Sequence, residues 1–371
     1  MKHLNRRDTA RRRRLRWAAP VVVVLVATGT AAAVLASCDG HGHPKATPPP
    51  TTVTTPAPTT SLPPTTVAPA VSPLTGLPQP NAAQLHRPAV VVKIDNVDQA
   101  RPQTGINQAD VVYEEMVEGG LTRLAAVFQS DYPDPVGPVR SGRLTDSAIA
   151  DDLHHPVLAF SGTNNIFLPI LRSQPVTEVD DDNFASLFFR TDLAPAPHNL
   201  YSDVTKLAAA DTSQAPPPPL FSFRPSGTPF TGAGVSPAAA ISISFPAASV
   251  LWTYAAATDE WLRDQNGTPD VDRSHVQVSA ANVVIQFVNY IDSGTATGEG
   301  LPPAPIPEGR LIGSGQVWVL SAGRIVKGTW SRSSPTSTTR FVDSAGAPIL
   351  LARGRTWVEL VPTGRAPSVQ P

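Results

Sequence analysis

A chain of 371 residues is long enough for two domains, but 41 prolines, about twice the ordinary share, leave part of it unable to pack. The formal net charge of −1 hides an imbalance. Eight Lys and Arg fall within residues 2–16, so from Cys38 onward carboxylates outnumber cations by eight, which argues against nucleic-acid binding through a basic face. Cys38 is the sole cysteine, which excludes an intrachain disulfide and a cysteine-based zinc site.

The basic stretch runs into an uncharged apolar segment, residues 17–36, and then Leu35-Ala36-Ser37-Cys38. A positive flank, an apolar run and small residues before a cut form a secretory leader, residues 1–37. Its end is similar to a bacterial lipobox, in which Cys38 becomes the first mature residue and carries a lipid on its sulfur. An uncleaved span is the alternative, since about 20 apolar residues cross a bilayer. Both readings put the remainder on the extracytoplasmic face of the cell membrane, because the positive flank stays inside. Residues 38–72 are rich in Pro and Thr with almost no charge, and cannot build a core. They read as a disordered stalk reaching on the order of 100 Å.

The expected fold class is α/β (α+β): a mixed-sheet N-terminal domain over 73–210, a proline-rich linker over 211–235, and a mostly antiparallel β domain over 236–365. In the first domain, 89–94 is an apolar β-branched run with one lysine, Lys93. Residues 109–117 and 121–129 read as a hairpin about Gly119-Gly120. Each face of the first arm mixes carboxylates with apolar groups, which a half-buried strand would segregate. Residues 144–153 read as a helix and 156–160 as a strand, giving a βαβ-type crossover. A short helix is expected over 166–171. In the second domain, short runs at 241–245, 250–254, 260–263, 282–290, 315–320, 324–330, 339–342 and 356–361 alternate with turn signals such as Asn266-Gly267. With Trp252, Trp261, Trp318, Trp330 and Trp357 they suggest a small sandwich or barrel.

Gly137-Pro138-Val139-Arg140-Ser141-Gly142-Arg143 carries the strongest site signal. Two guanidiniums, a hydroxyl and free N–H groups before a helix can hold an anion. The structural alternative is that Ser141 or Thr145 caps the helix while the arginines pair with Glu114, Glu118 or Asp146. Ser141, His198 and an aspartate can also be drawn as a hydrolase triad, though no G-x-S-x-G surrounds Ser141. Asp180-Asp181-Asp182-Asn183 lacks EF-hand spacing and reads as a solvated turn. His154-His155 suits a helix end, and Asp270, Asp272 and His275 suit a polar turn. No metal or cofactor is implied: P-loop, G-x-G-x-x-G and H-E-x-x-H patterns are missing from the sequence.

Arg87-Pro88, Asp95-Asn96, Arg101-Pro102-Gln103, Glu118-Gly119-Gly120 with Thr122-Arg123, Gly137-Pro138-Val139-Arg140-Ser141 and Pro197-His198-Asn199-Leu200-Tyr201 occur in order. Together they resemble the YerB-like lipoprotein family, over about residues 73–362. The resemblance implies an envelope lipoprotein of α/β type with N- and C-terminal domains of unknown function. It brings no established reaction or catalytic residue. Two functions follow as expectations. One is a membrane-tethered head that binds a cell-wall fragment or an envelope partner protein, with Arg123, Arg140, Ser141, Arg143, Asp95, Glu118 and His198 as candidate ligand-binding residues. The other is a cell-wall-acting hydrolase or transferase using Ser141 or the carboxylates Asp95, Glu114 and Glu118.

Overall fold

A computed structural model describes residues 70–371 apart from 165, 214, 299 and 300. The leader, Cys38 and the stalk up to residue 69 lie outside the described residues. Order is in place by residue 71, where Val71 pairs with Pro78 and Ser72 and Leu74 are buried.

Helix α1 (Ala82–Leu85) precedes strand β1 (Val90–Asp95). The hairpin of β2 (Val111–Met116) and β3 (Thr122–Phe128) follows, with Val111 opposite Val127 and Met116 opposite Thr122. Its turn needs Gly119 and Gly120, both left-handed at φ 71° and 74°. Next come α2 (Leu144–Asp151), β4 (Val157–Phe160), α3 (Phe167–Leu171) and β5 (Thr177–Asp180). The crossover differs from the one expected. β4 lies parallel to β1, but β3 is antiparallel to β1, so α2 joins strands of opposite sense. The parallel crossover between neighbours is β4–α3–β5. A sequence shows that a helix follows a strand, but not where the next strand lands. A small pair, β6 (Phe188–Arg190) and β7 (Leu200–Ser202), precedes α4 (Val204–Ala208).

Within residues 211–235, expected as a linker, part of the chain is packed. Leu220, Phe221 and Phe230 are buried, and Phe221 stacks on Phe341 at 6.1 Å. Burying those aromatics outweighs the freedom of a tether.

The second part supplies β8 (Ser236–Pro237), β9 (Ala240–Ser244), β10 (Ser249–Ala255), β11 (Glu260–Gln265), β12 (Thr268–Pro269) and β13 (Ser279–Ala280). It continues with β14 (Asn282–Gly298), β15 (Leu301–Arg310), β16 (Gly313–Ser321), β17 (Arg324–Arg332), β18 (Arg340–Asp343), β19 (Thr356–Pro362) and β20 (Ser368–Gln370). Two sheets result. The larger runs β18-β17-β16-β14-β19-β2-β3-β1-β4-β5, with β15 on β14 and β8 on β17. The smaller runs β12-β11-β10-β9-β20, with β13 on β11.

The join is made by β19, which lies parallel to β2 with Thr356 opposite Val111 and Glu359 opposite Glu114. One sheet therefore carries strands from both expected domains. The smaller sheet packs across it through Trp252 on Trp357, centroids 5.3 Å apart. At this seam Arg263 bonds Glu114 at 2.6 Å and also pairs with Asp270, while Trp252 donates to Glu359 at 2.8 Å. Burial pushes the Glu359 carboxyl well above the ordinary value, and Glu114 alongside adds to the shift. Burial works against the Arg263 charge, but Glu114, Asp270 and Glu359 more than hold it in place.

Candidate functional site

Strand alternation builds the floor. Val91, Lys93 and Asp95 share one face of β1, and Arg123, Ala125 and Val127 share that face of β3. Asp95 is opposite Arg123 across β1 and β3, and Glu115 is opposite Arg123 across β2 and β3. The mixed faces read from the sequence have their explanation here. β2 is buried on both sides, so its apolar groups face core on each. Its carboxylates meet cations brought by other strands: Glu115 pairs with Lys93, and Glu114 with Arg263. Lys93 is fully buried and also bonds Asp146 at 2.8 Å. Burial pulls its ammonium down to about 8 although Asp146 opposes the shift.

The Gly137–Arg143 segment runs along the end of β1. The Asp95 N–H donates to Pro138, and the Arg140 N–H donates to Lys93. This sets the Arg140 guanidinium beside Asp95, Nε to Oδ2 2.9 Å. Gly142 has to be glycine, since a Cβ there would come within 2.8 Å of Phe167. The helix N-terminus is closed by Asp146, whose Oδ2 accepts the Arg143 N–H at 2.7 Å. Neither Ser141 nor Thr145 is that cap, and the Thr145 hydroxyl accepts from the Gly309 N–H at 2.9 Å. Arg143 grips Glu118 with Nε and Nη2 at 2.9 and 2.7 Å. Burial works against the Glu118 charge, but Arg143 holds the carboxyl below its ordinary value.

His198 arrives on the connection between β6 and β7. The Val139 N–H donates to Leu200 at 2.7 Å, which docks that connection on the same edge. His198 Nδ1 then meets Asp95 Oδ2 at 2.7 Å. Its Nε2 has no protein hydrogen-bond partner among the described residues, and no bond joins His198 to Ser141.

The seven residues singled out for ligand binding, Asp95, Glu118, Arg123, Arg140, Ser141, Arg143 and His198, all line one cleft of about 1010 Å³. Arg123 stands apart within it. Its Nη1 donates to the Ser141 carbonyl at 3.1 Å, yet among the described residues no carboxylate lies within ion-pair distance. Burial, with Arg143 and Arg140 alongside, pulls its guanidinium down to about 9. Glu114 is not in the cleft, because it faces the opposite side of β2 toward Arg263. The apolar rim of Leu121, Pro195 and Ala304 was not anticipated from the sequence. Neither were the partners of Lys93, for which a lone lysine in an apolar strand was the only signal.

The other candidates have local roles. Asp180 accepts from the N–H groups of Asp182 and Asn183, both at 3.0 Å. Asp272 accepts from Ser274, and Asp270 is taken by Arg263. His154 and His155 are both left-handed, and His154 meets the Thr336 carbonyl.

Comparison with known proteins agrees with the fold and names no reaction. The chain is similar, at 38% identity over 135 residues, to a Bacillus subtilis (strain 168) protein named "Putative lipoprotein YerB". That match takes in 33% of this chain and spans 38% of the length of that relative. The crystal structure of the YerB protein from Bacillus subtilis superposes with a TM-score of 0.68 at 24% identity, over 81% of this chain and all of that one, which bears on the fold alone. Residues 74–216 match the N-terminal domain, and residues 241–358 the C-terminal domain, of a family described as "Protein of unknown function (DUF3048)". The two matches together take in well over half of the chain, which therefore belongs to this YerB-like family of unknown function.

Proposed function

We propose that this protein is an extracytoplasmic lipoprotein, anchored at Cys38, whose head binds an anionic ligand in the cleft around Arg123. The address rests on the basic flank, the apolar run and Leu35-Ala36-Ser37-Cys38, with the lipoprotein description of the Bacillus relative in support. The ligand reading rests on one observation. Arg140 and Arg143 are paired with Asp95 and Glu118, whereas Arg123 is half-buried beside them and, among the described residues, has no counterion in ion-pair distance. A guanidinium held in that state gains from an incoming anion both Coulomb energy and charge-assisted hydrogen bonds, each worth about 1.5–3 kcal/mol. A cell-wall fragment bearing carboxylate or phosphate fits that address and that charge.

Thermal unfolding of the full chain in detergent, with inorganic phosphate, pyrophosphate and muropeptides as probes, tests this. At about 100 times its Kd a ligand adds roughly 2.7 kcal/mol, visible as a rise in Tm. Arg123→Ala is expected to abolish the rise. A rise that survives this substitution, or none with any probe, would sink the reading.

A further inference from the structure

We propose that the cleft is a phosphodiester hydrolase site in which His198 is the general base, Asp95 its positioning residue, and Arg123 the main contact to the phosphoryl oxygens. This rests on the anion-binding reading of the same cleft and goes beyond it by assigning a reaction.

The imidazole carries the argument. Its Nδ1 donates to Asp95 Oδ2 at 2.7 Å, which fixes the tautomer and leaves Nε2 with its lone pair free. Asp95 is itself fixed, buried to 1% exposure and held by Arg140 at the same oxygen. Among the described residues Nε2 finds no partner, on a side chain that lines the cleft. A histidine used only to pin the β6–β7 connection would need the Nδ1 contact and nothing more. The Ser141 hydroxyl shares the cleft but makes no bond to His198, so the nucleophile is water rather than a serine.

Charge selects the substrate. Among the groups lining the cleft, Arg123, Arg140 and Arg143 face Asp95 and Glu118, a surplus of one positive charge before His198 is counted. A phosphodiester brings one negative charge, and a second develops on its non-bridging oxygens as water adds. Guanidinium N–H groups are suited to those oxygens, and a group aimed where charge develops lowers the barrier more than it tightens ground-state binding. A neutral carboxylic ester or glycosidic bond would leave the surplus unused. The rim of Leu121, Pro195 and Ala304 gives the ester substituents an apolar seat.

The step balances without a co-reactant. His198 Nε2 takes a proton from water, the water oxygen bonds to phosphorus, and the bond from phosphorus to the leaving oxygen breaks. The leaving alkoxide takes a proton from solvent, and the imidazolium returns its own to bulk water. The products are a phosphomonoester and an alcohol.

The test uses the full chain in detergent with bis(4-nitrophenyl) phosphate, and 4-nitrophenyl acetate as the uncharged control. Turnover of the diester and not of the acetate is expected. His198→Ala should lower kcat by about 10²–10⁴-fold, the usual span for a lost general base, with KM and the phosphate-induced rise in Tm kept. Added imidazole should restore part of the rate, which a structural role for His198 would not allow. If His198→Ala does not fold, His198→Gln keeps a donor for Asp95 and should show the same loss. Arg123→Ala should raise KM as well. Soluble poly(glycerol phosphate) and phosphatidylglycerol vesicles as substrates separate a wall polymer from a lipid headgroup as the source of the diester, and cleavage of either supports the proposal. No turnover of any diester while phosphate still raises Tm overturns the catalytic assignment and leaves the binding reading standing. Loss of the phosphate effect as well overturns both. An unchanged kcat in the His198 variants removes His198 as the base.

Discussion

Asp110, just before β2, has both carboxylate oxygens in use. Oδ2 accepts the N–H groups of Gln129 at 2.6 Å and Ser130 at 2.8 Å, and Oδ1 accepts the Ser130 hydroxyl. Among the described residues it has no cation in ion-pair distance, unlike Asp95, which Arg140 reaches. Burial therefore wins, and the carboxyl is pushed up to about 6 from 3.8 although the Ser130 and Gln129 bonds oppose it. The native state then binds the Asp110 proton more readily than the unfolded chain does. The associated stability is full below about pH 4 and is lost as pH rises through about 6. At 1.36 kcal/mol per unit, the loss is up to about 3 kcal/mol. Urea unfolding of the wild type and Asp110→Asn should therefore give a stability difference that moves in favour of the variant between pH 4 and 7. A difference that stays flat across that window would show that Asp110 is ionised at no cost.

In the strands, pattern was readable and partnership was not. The hairpin of β2 and β3 was legible because two β-type runs flank Gly119-Gly120, which the fold holds in left-handed conformation. The tryptophan-marked strands of the second part were legible for the same reason. β15 was not, because Pro302, Pro303, Pro305 and Pro307 argue against a strand. Proline is tolerated there because, among the described residues, β15 pairs with no strand other than β14, so its far side has no ladder to break. Gly328 in β17 makes a related point about close approach. It lies opposite Asp343, and a Cβ on it would collide with the backbone carbonyl of Val342. Gly328→Ala should force β18 away from β17 and cost about 1–3 kcal/mol, read as a lower urea midpoint with an unchanged m-value. Stability equal to wild type would mean the two strands do not lie this close.

At the scale of the molecule, the candidate site was more legible than the architecture. Arg123, Arg140, Arg143, Asp95 and His198 stood out because charged groups in apolar or glycine-rich runs need a reason, and the fold gathers them in one cleft. The join was illegible, since the pairing of β19 with β2 connects segments far apart in sequence and leaves no local trace in either. The prolines at 216–219 even suggested a break just before Leu220 and Phe221, which are buried. Physically the join is extensive. β19 completes the backbone bonding of β2, and Arg263 answers Glu114 with both side chains at 0% exposure. Removing one partner of a buried ion pair costs about 3–5 kcal/mol, and a bare β2 edge adds unpaired N–H and C=O groups. Those losses are comparable to the whole stability of an ordinary domain. The two family-matched segments should therefore melt together. Calorimetry of the full chain should show a single transition, with its calorimetric and van't Hoff enthalpies equal. A chain ended at residue 235 should lack cooperative unfolding altogether. Two resolved transitions, or a well-folded 1–235 fragment, would mean that the shared sheet contributes little and that the segments are independent domains in contact.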